Sequence, residues 1–150
     1  MKRIVLLDTG VLGMVIHPKA SPIIEKCNCW LESLILKDTQ IAIPEIADYE
    51  VRRELLRAKK IKSIKRLDAF NLSALYIPIT TETMLKASEF WAAARMKGKP
   101  TADEKALDGD VILAAQAFLL TEKDRKIIIA TTNVKHLALF ADAREWTSIE

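Results

Sequence analysis

The stretch Leu107-Asp108-Gly109-Asp110-Val111-Ile112-Leu113-Ala114-Ala115-Gln116-Ala117 constrains this chain more than any other. Two carboxylates run at once into a helix of small and apolar residues, and Val111 to Ala115 holds no polar side chain. Such a helix is expected to be buried over most of its circumference. Acids at the mouth of a buried helix are costly unless something pairs them. The helix dipole supplies part of the compensation, and a divalent cation would supply the rest. Asp108 and Asp110 are therefore expected to belong to a metal-binding acidic cluster whose other members lie elsewhere in the chain.

The 150 residues suffice for a single domain, 1–150, with a real hydrophobic core. Half are apolar and 29% are charged, the profile of a soluble globular protein. The net charge of +3 is too small to name a partner. Cys27 and Cys29 lie about 200° apart around a helix axis, so they read as ordinary reduced thiols. His17 and His136 form no H-x-x-x-H pair, and each reads as a turn or surface histidine. The basic start and the run Ile4–Leu7 resemble a signal peptide, but Asp8 interrupts the run. No segment reaches the roughly 18 apolar residues of a membrane span. A cytoplasmic protein without a membrane partner is expected.

Apolar strands alternate with helices along the chain. Ile4–Leu7 reads as a strand buried on both faces, ended by Asp8-Thr9-Gly10 and followed by a short helix, Val11–Ile16. Asp8 is either the cap of that helix or a ligand group at the strand end. Ser21 and Pro22 open the next helix, and 39–43 is a second strand. In the helix 44–58, Ile46, Tyr49, Val51, Leu55 and Leu56 supply the apolar contacts. Glu50 sits among them and is singled out; Glu45, Asp48 and Glu54 fit a solvated face. A helix follows with Ile61, Ile64, Leu67 and Phe70 inward, then a third strand, 76–79. The helix 82–96 is expected to bury Met84, Leu85, Phe90, Trp91 and Ala94. Residues 97–105 read as an irregular loop, Ile127–Ala130 as a fourth strand, 134–140 as a helix and 143–146 as an edge strand. This alternation implies an α/β fold with a mainly parallel sheet of four to five strands, covered on both sides.

One charge bias stands out. Arg52, Arg53, Arg57, Lys59, Lys60, Lys62, Lys65 and Arg66 face a single acid, Glu54. A solvated face of two helices and a phosphate-binding ridge beside the acids are both open readings. Lys97 and Lys99 lie on the loop leading to the acidic element and extend the second reading.

Parallel strands deliver their carboxyl ends to one edge of the sheet. Asp8 and Asn133 follow the first and fourth strands, and Glu50, Asp108 and Asp110 lie on flanking helices. Several carboxylates at one point do not all ionise without a cation between them. Oxygen ligands select Mg²⁺ or Mn²⁺ over zinc, and such a site can activate water towards a phosphodiester.

The sequence resembles the PIN-domain ribonucleases, which include the toxins of VapBC-type toxin–antitoxin pairs. The resemblance rests on Leu6-Leu7-Asp8-Thr9, the Glu50 helix, Asp110-Val111-Ile112-Leu113-Ala114-Ala115-Gln116-Ala117 and Ala130-Thr131-Thr132-Asn133-Val134, in that order. It implies a PIN-like three-layer α/β/α fold. It also implies a Mg²⁺- or Mn²⁺-dependent endonuclease of single-stranded RNA, usually a homodimer, neutralised in toxins by a small antitoxin. Asp8, Glu50 and Asp110 match the family's first three acids. The fourth position, often Asp, is Asn133, which keeps a ligand oxygen for the metal but loses a charge, and Asp108 would assist as an additional acid ligand. Thr9 and Thr131 would orient ligands or water, while Arg52, Arg53, Lys97 and Lys99 would bind RNA. No histidine is expected to act as base. A non-catalytic PIN-like module that binds RNA or protein, and a housekeeping RNA-processing nuclease, are the alternatives. A HAD-type phosphatase fits poorly because Gly10 stands where its second Asp belongs. A receiver domain fits poorly because 76–79 offers no phosphoacceptor Asp.

Overall fold

A computed structural model describes residues 2–97, 104–121 and 125–150, with the side chains of 104–106 outside the description. Five strands form the sheet: β1 (Arg3–Leu7), β2 (Gln40–Pro44), β3 (Leu75–Ile77), β4 (Lys126–Thr131) and β5 (Ala143–Glu145). Every pairing is parallel and the order is β3-β2-β1-β4-β5. The helices are α1 (Thr9–Val15), α2 (Pro22–Leu36), α3 (Glu45–Arg57), α4 (Ile61–Ser73), α5 (Thr81–Met96), α6 (Glu104–Thr121) and α7 (Val134–Leu137). The α/β class, the parallel sheet and the final edge strand match the sequence expectation. No helix among the described residues is long and apolar enough to cross a membrane.

The strand sequences explain the layering. β1 and β4 are apolar at successive positions, so both pleat faces are buried. Val5, Leu7, Ile41, Ile43, Ile128 and Ala130 face a core completed from α1, α2, α3 and α4 by Leu12, Leu34, Val51 and Leu67. Ile4, Leu6, Ala42, Ile127 and Ile129 face the opposite core, closed by Leu113, Ala117 and Leu137. The chain's end closes the first core, where Trp146 meets Trp30 edge-on at 5.4 Å and the Trp30 indole N–H donates to the Ile149 carbonyl at 3.0 Å. Cys27 is buried and Cys29 exposed, both free thiols.

Three local expectations are corrected. The α5 face that turns inward is made of Thr83, Ala87 and Ala94, while Met84, Leu85 and Trp91 stay largely exposed. Its partner α6 offers Val111 and Ala115 at the seam, and such small residues let the helices approach too closely to cover larger side chains. On α3, Tyr49 and Leu56 are exposed rather than packed. Asp48, expected on a solvated face, is buried at 7% exposure. It accepts hydrogen bonds from Arg52 Nε at 2.9 Å and from Asn71 Nδ2 at 2.7 Å. Burial raises its pKa, but those bonds and the Arg52 charge together hold the carboxyl below its ordinary value.

Candidate active site

Topology fixes where a site belongs. β1 and β4 are neighbours, yet the chain leaves β1 towards β2 and β3 on one side and β4 towards β5 on the other. In open parallel sheets the crevice beyond the carboxyl ends at such a reversal is where ligands bind. Asp8 follows β1 there, and Thr131 ends β4 beside it.

Asp8 serves both of its sequence readings. Its Oδ1 caps α1 by accepting the Val11 N–H at 2.9 Å. Hydrogen bonds from the Thr131 hydroxyl and the N–H groups of Thr132 and Gly10 also favour the charged form. Burial outweighs them, and the Asp8 pKa lies above its ordinary value.

Glu50 reaches the same place from α3. The Thr9 hydroxyl donates to its Oε1 at 2.8 Å, and an Arg53 guanidinium nitrogen stands 3.7 Å from its Oε2. The sequence reading missed the part played by Gly109. A Cβ on this residue would stand 2.9 Å from Glu50 Oε2, so the missing side chain is what lets α3's carboxylate lie against α6.

Asp110 completes the group. Its Oδ2 is buried without a hydrogen-bond partner. Burial pushes its pKa up to about 6; the His136 charge opposes this, and the Glu50 and Asp8 charges add to it. The helix dipole does little here. α6 starts at Glu104, so Asp110 lies about 1.7 turns inside it, beyond the first turn where the dipole acts. The acids are therefore not at the mouth of the helix, and less of their charge is compensated than the sequence reading assumed.

His136 corrects another expectation. Its Nδ1 lies 3.7 Å from Asp110 Oδ2 and 3.3 Å from Asn133 Nδ2. It is a site residue rather than an isolated surface histidine. Asn133 is exposed and, among the described residues, its side chain approaches the acids through His136, while the Asn133 N–H donates to Thr131 Oγ1 at 2.9 Å. The i,i+3 step from Asn133 to His136 was the available signal, and only the proximity of Asp110 gives it meaning.

Asp108 is separated from the group. It is exposed and lines the α5–α6 groove with Met84, Ser88 and Trp91, because two residues along a helix turn the side chain by about 200°. Among the basic residues, Arg52 is engaged with Asp48 and Asp68, and Arg53 lies over the Tyr49 ring at 5.0 Å. Lys97 is exposed at the end of α5, and Lys99 lies outside the described residues.

Among the described residues, no group of three or more His, Cys, Asp or Glu side chains is arranged to hold a metal ion. The chemistry of the donors nevertheless fits a hard divalent cation. The Asp8 and Glu50 charges act on Asp110, Asp8 and Asp110 have raised pKa values, and one buried oxygen, Asp110 Oδ2, has no hydrogen-bond donor.

No family model and no curated protein matches the sequence. Solved structures do. A chain of VapBC2 from Rickettsia felis, bound to a DNA fragment from their promoter, is similar with a TM-score of 0.70 and 22% identity. That match covers 93% of this chain and 95% of that one. The fold is PIN-like. FitAcB from Neisseria gonorrhoeae matches at a TM-score of 0.69 and 22% identity, covering 97% of this chain and 99% of that one. VapBC-1 from nontypeable Haemophilus influenzae matches at 0.64 and 17%, with the same two coverages of 97% and 99%. At these identities the PIN-like likeness speaks for the architecture, and the activity has to be argued from the site.

Proposed function

We propose that this chain is a Mg²⁺- or Mn²⁺-dependent endoribonuclease of single-stranded RNA, acting as the toxin of a VapBC-type toxin–antitoxin pair in the cytoplasm. The observation that carries the reading is the orphaned Oδ2 of Asp110, held among Asp8 and Glu50 at the reversal point of the sheet. The likeness to VapBC structures supports a small antitoxin as partner. A homodimer is part of the same proposal, as the sequence resemblance to the PIN-domain ribonucleases implies.

Asp8, Glu50 and Asp110 would hold the ion. Once bound, it supplies an acidified water and neutralises charge on the phosphodiester under attack. Thr9 fixes Glu50 and Thr131 fixes Asp8, so neither carboxylate has to reorganise as the substrate arrives. Asn133 and His136 border the cluster beside Asp110 and would touch the substrate's phosphate or leaving oxygen. Hydrolysis needs no covalent enzyme intermediate, and none of these groups is an activated nucleophile.

The test is cleavage of a labelled single-stranded RNA in Mn²⁺, comparing wild type with Asp8→Asn and Asp110→Asn. Cutting that disappears in EDTA and in both variants is the expected result. Undiminished cutting in EDTA overturns the mechanism. No cutting by antitoxin-free, Mn²⁺-loaded protein favours the non-catalytic PIN-like module.

A further inference from the structure

A second cationic feature lies beyond the acids on the same helices. The loop after α1 and the turn from α3 to α4 enclose a pocket of about 440 Å³. Its walls carry Lys19, Lys59, Lys60 and Lys62, and Leu55 and Ile61 line its apolar part. We propose that this pocket binds a nucleotide of the RNA strand, its phosphate on the lysines and its base or ribose on the apolar wall, a few nucleotides from the cut. The inference rests on the nuclease reading for its substrate.

Three independent observations converge on an anion with an apolar body. First, none of the four lysines forms an ion pair among the described residues, whereas the neighbouring Arg52 and Arg57 are held by carboxylates. The basic ridge thus divides into arginines used internally and lysines left to solvent. Second, α4 opens into the pocket with no side-chain cap and no acid in its first turn. The Ile61 N–H turns back to the Lys59 carbonyl at 3.2 Å, and the N–H groups of Lys62 and Ser63, with the dipole, favour a negative group there. Third, Ser63 lines the pocket, and its hydroxyl makes no hydrogen bond among the described residues. A hydroxyl that meets solvent at the pocket wall is free to donate to a phosphate oxygen.

Position selects RNA over an acidic protein segment. α1 starts at the acids and ends beside the pocket, and α3 carries the chain from Glu50 to Arg57, two residues before Lys59. At 1.5 Å per residue both paths measure about 12–14 Å. A strand whose scissile phosphate lies on Asp8, Glu50 and Asp110 is therefore led to the pocket by the two helices that build the site.

The experiment is fluorescence anisotropy of a labelled single-stranded RNA of about 12 nucleotides in EDTA, titrated over salt. Each lysine on a phosphate should contribute about 0.7 to the slope of log K against log salt. Lys60→Gln/Lys62→Gln should lower that slope by about 1.4 and weaken binding at least tenfold at low salt. Lys37→Gln/Lys126→Gln removes the same charge at the amino edge of the sheet and should leave the slope unchanged. Ser63→Ala should weaken binding severalfold with an unchanged melting temperature, whereas a structural hydroxyl would lower the melting temperature. Wild-type affinity and slope in both pocket variants overturn the proposal. So does intact RNA binding with lost binding of a labelled polyglutamate, which would assign the pocket to an acidic partner. Pocket-dependent binding without any Mn²⁺-dependent cutting leaves this inference standing and overturns the nuclease reading alone.

Discussion

At Asp110 a single carboxylate sets the pH behaviour of the site. Its ordinary pKa is 3.8, and burial with the nearby Glu50 and Asp8 charges raises it to about 6. Between these values the folded protein holds a proton that the unfolded chain has released. A cation must displace that proton, so Mn²⁺ affinity should rise about tenfold per pH unit below 6 and level off above it. Calorimetric titration from pH 5 to 8 measures this. His136 lowers the Asp110 pKa by its charge, so His136→Ala should move the midpoint of that profile to higher pH. An unmoved midpoint would mean that the imidazole does not act on Asp110. The Thr9 hydroxyl is a second residue-level lever. Thr9→Val removes the bond to Glu50 Oε1, and losing one hydrogen bond to a charged group costs about 1.5–3 kcal/mol. Cleavage should fall about tenfold or more while the far-UV spectrum stays that of the wild type.

Among the elements, α6 matters most because α3 lies against it at Gly109. An alanine there would improve intrinsic helix propensity by about 1 kcal/mol. Its Cβ, however, would meet Glu50 Oε2 at 2.9 Å, and a flexible carboxylate yields before a backbone does. Gly109→Ala should therefore keep or raise the melting temperature while cleavage drops at least tenfold. A lowered melting temperature with retained activity would show that Glu50 is not held there. The elements were legible to unequal degrees. β1 and β4 were plain because an unbroken apolar run with two buried faces has one reading at that length. The start of α6 was not: Gly98 and Pro100 interrupt the pattern just before it, so 97–105 read as a loop although Asp103 is a residue type that caps helices. Asp48 was misjudged for another reason. Arg52 is one turn away, but Asn71 comes from α4, and no sequence pattern shows that pairing. The acids Asp8, Glu50 and Asp110 could be named because they sit at strand ends or on helices of recognisable type. Asp108 differs only in its turn around α6, which depends on how that helix is rotated against α5.

Across the whole molecule these carboxylates pull stability in opposite directions with pH. The Asp48 pKa is lowered by folding, so its contribution is present above its ordinary 3.8 and lost as the solution is acidified. The Asp8 and Asp110 pKa values are raised, so their contribution is present in acid and lost as pH rises, for Asp110 through about 6. The ion-free protein should thus be most stable in the mildly acidic range between these transitions. Urea unfolding from pH 3 to 8 should show a maximum there and a decline towards neutrality. Asp110→Asn keeps the shape but carries no charge, so it should flatten the decline and stabilise the ion-free protein at pH 7.5. Mn²⁺ should do the same for wild type, because a ligand of the folded state adds stability with its concentration. It should do much less for the variant. If the variant and the ion-free wild type decline alike between about pH 4 and pH 6, the repulsion of Asp110 by Asp8 and Glu50 is not what limits this fold.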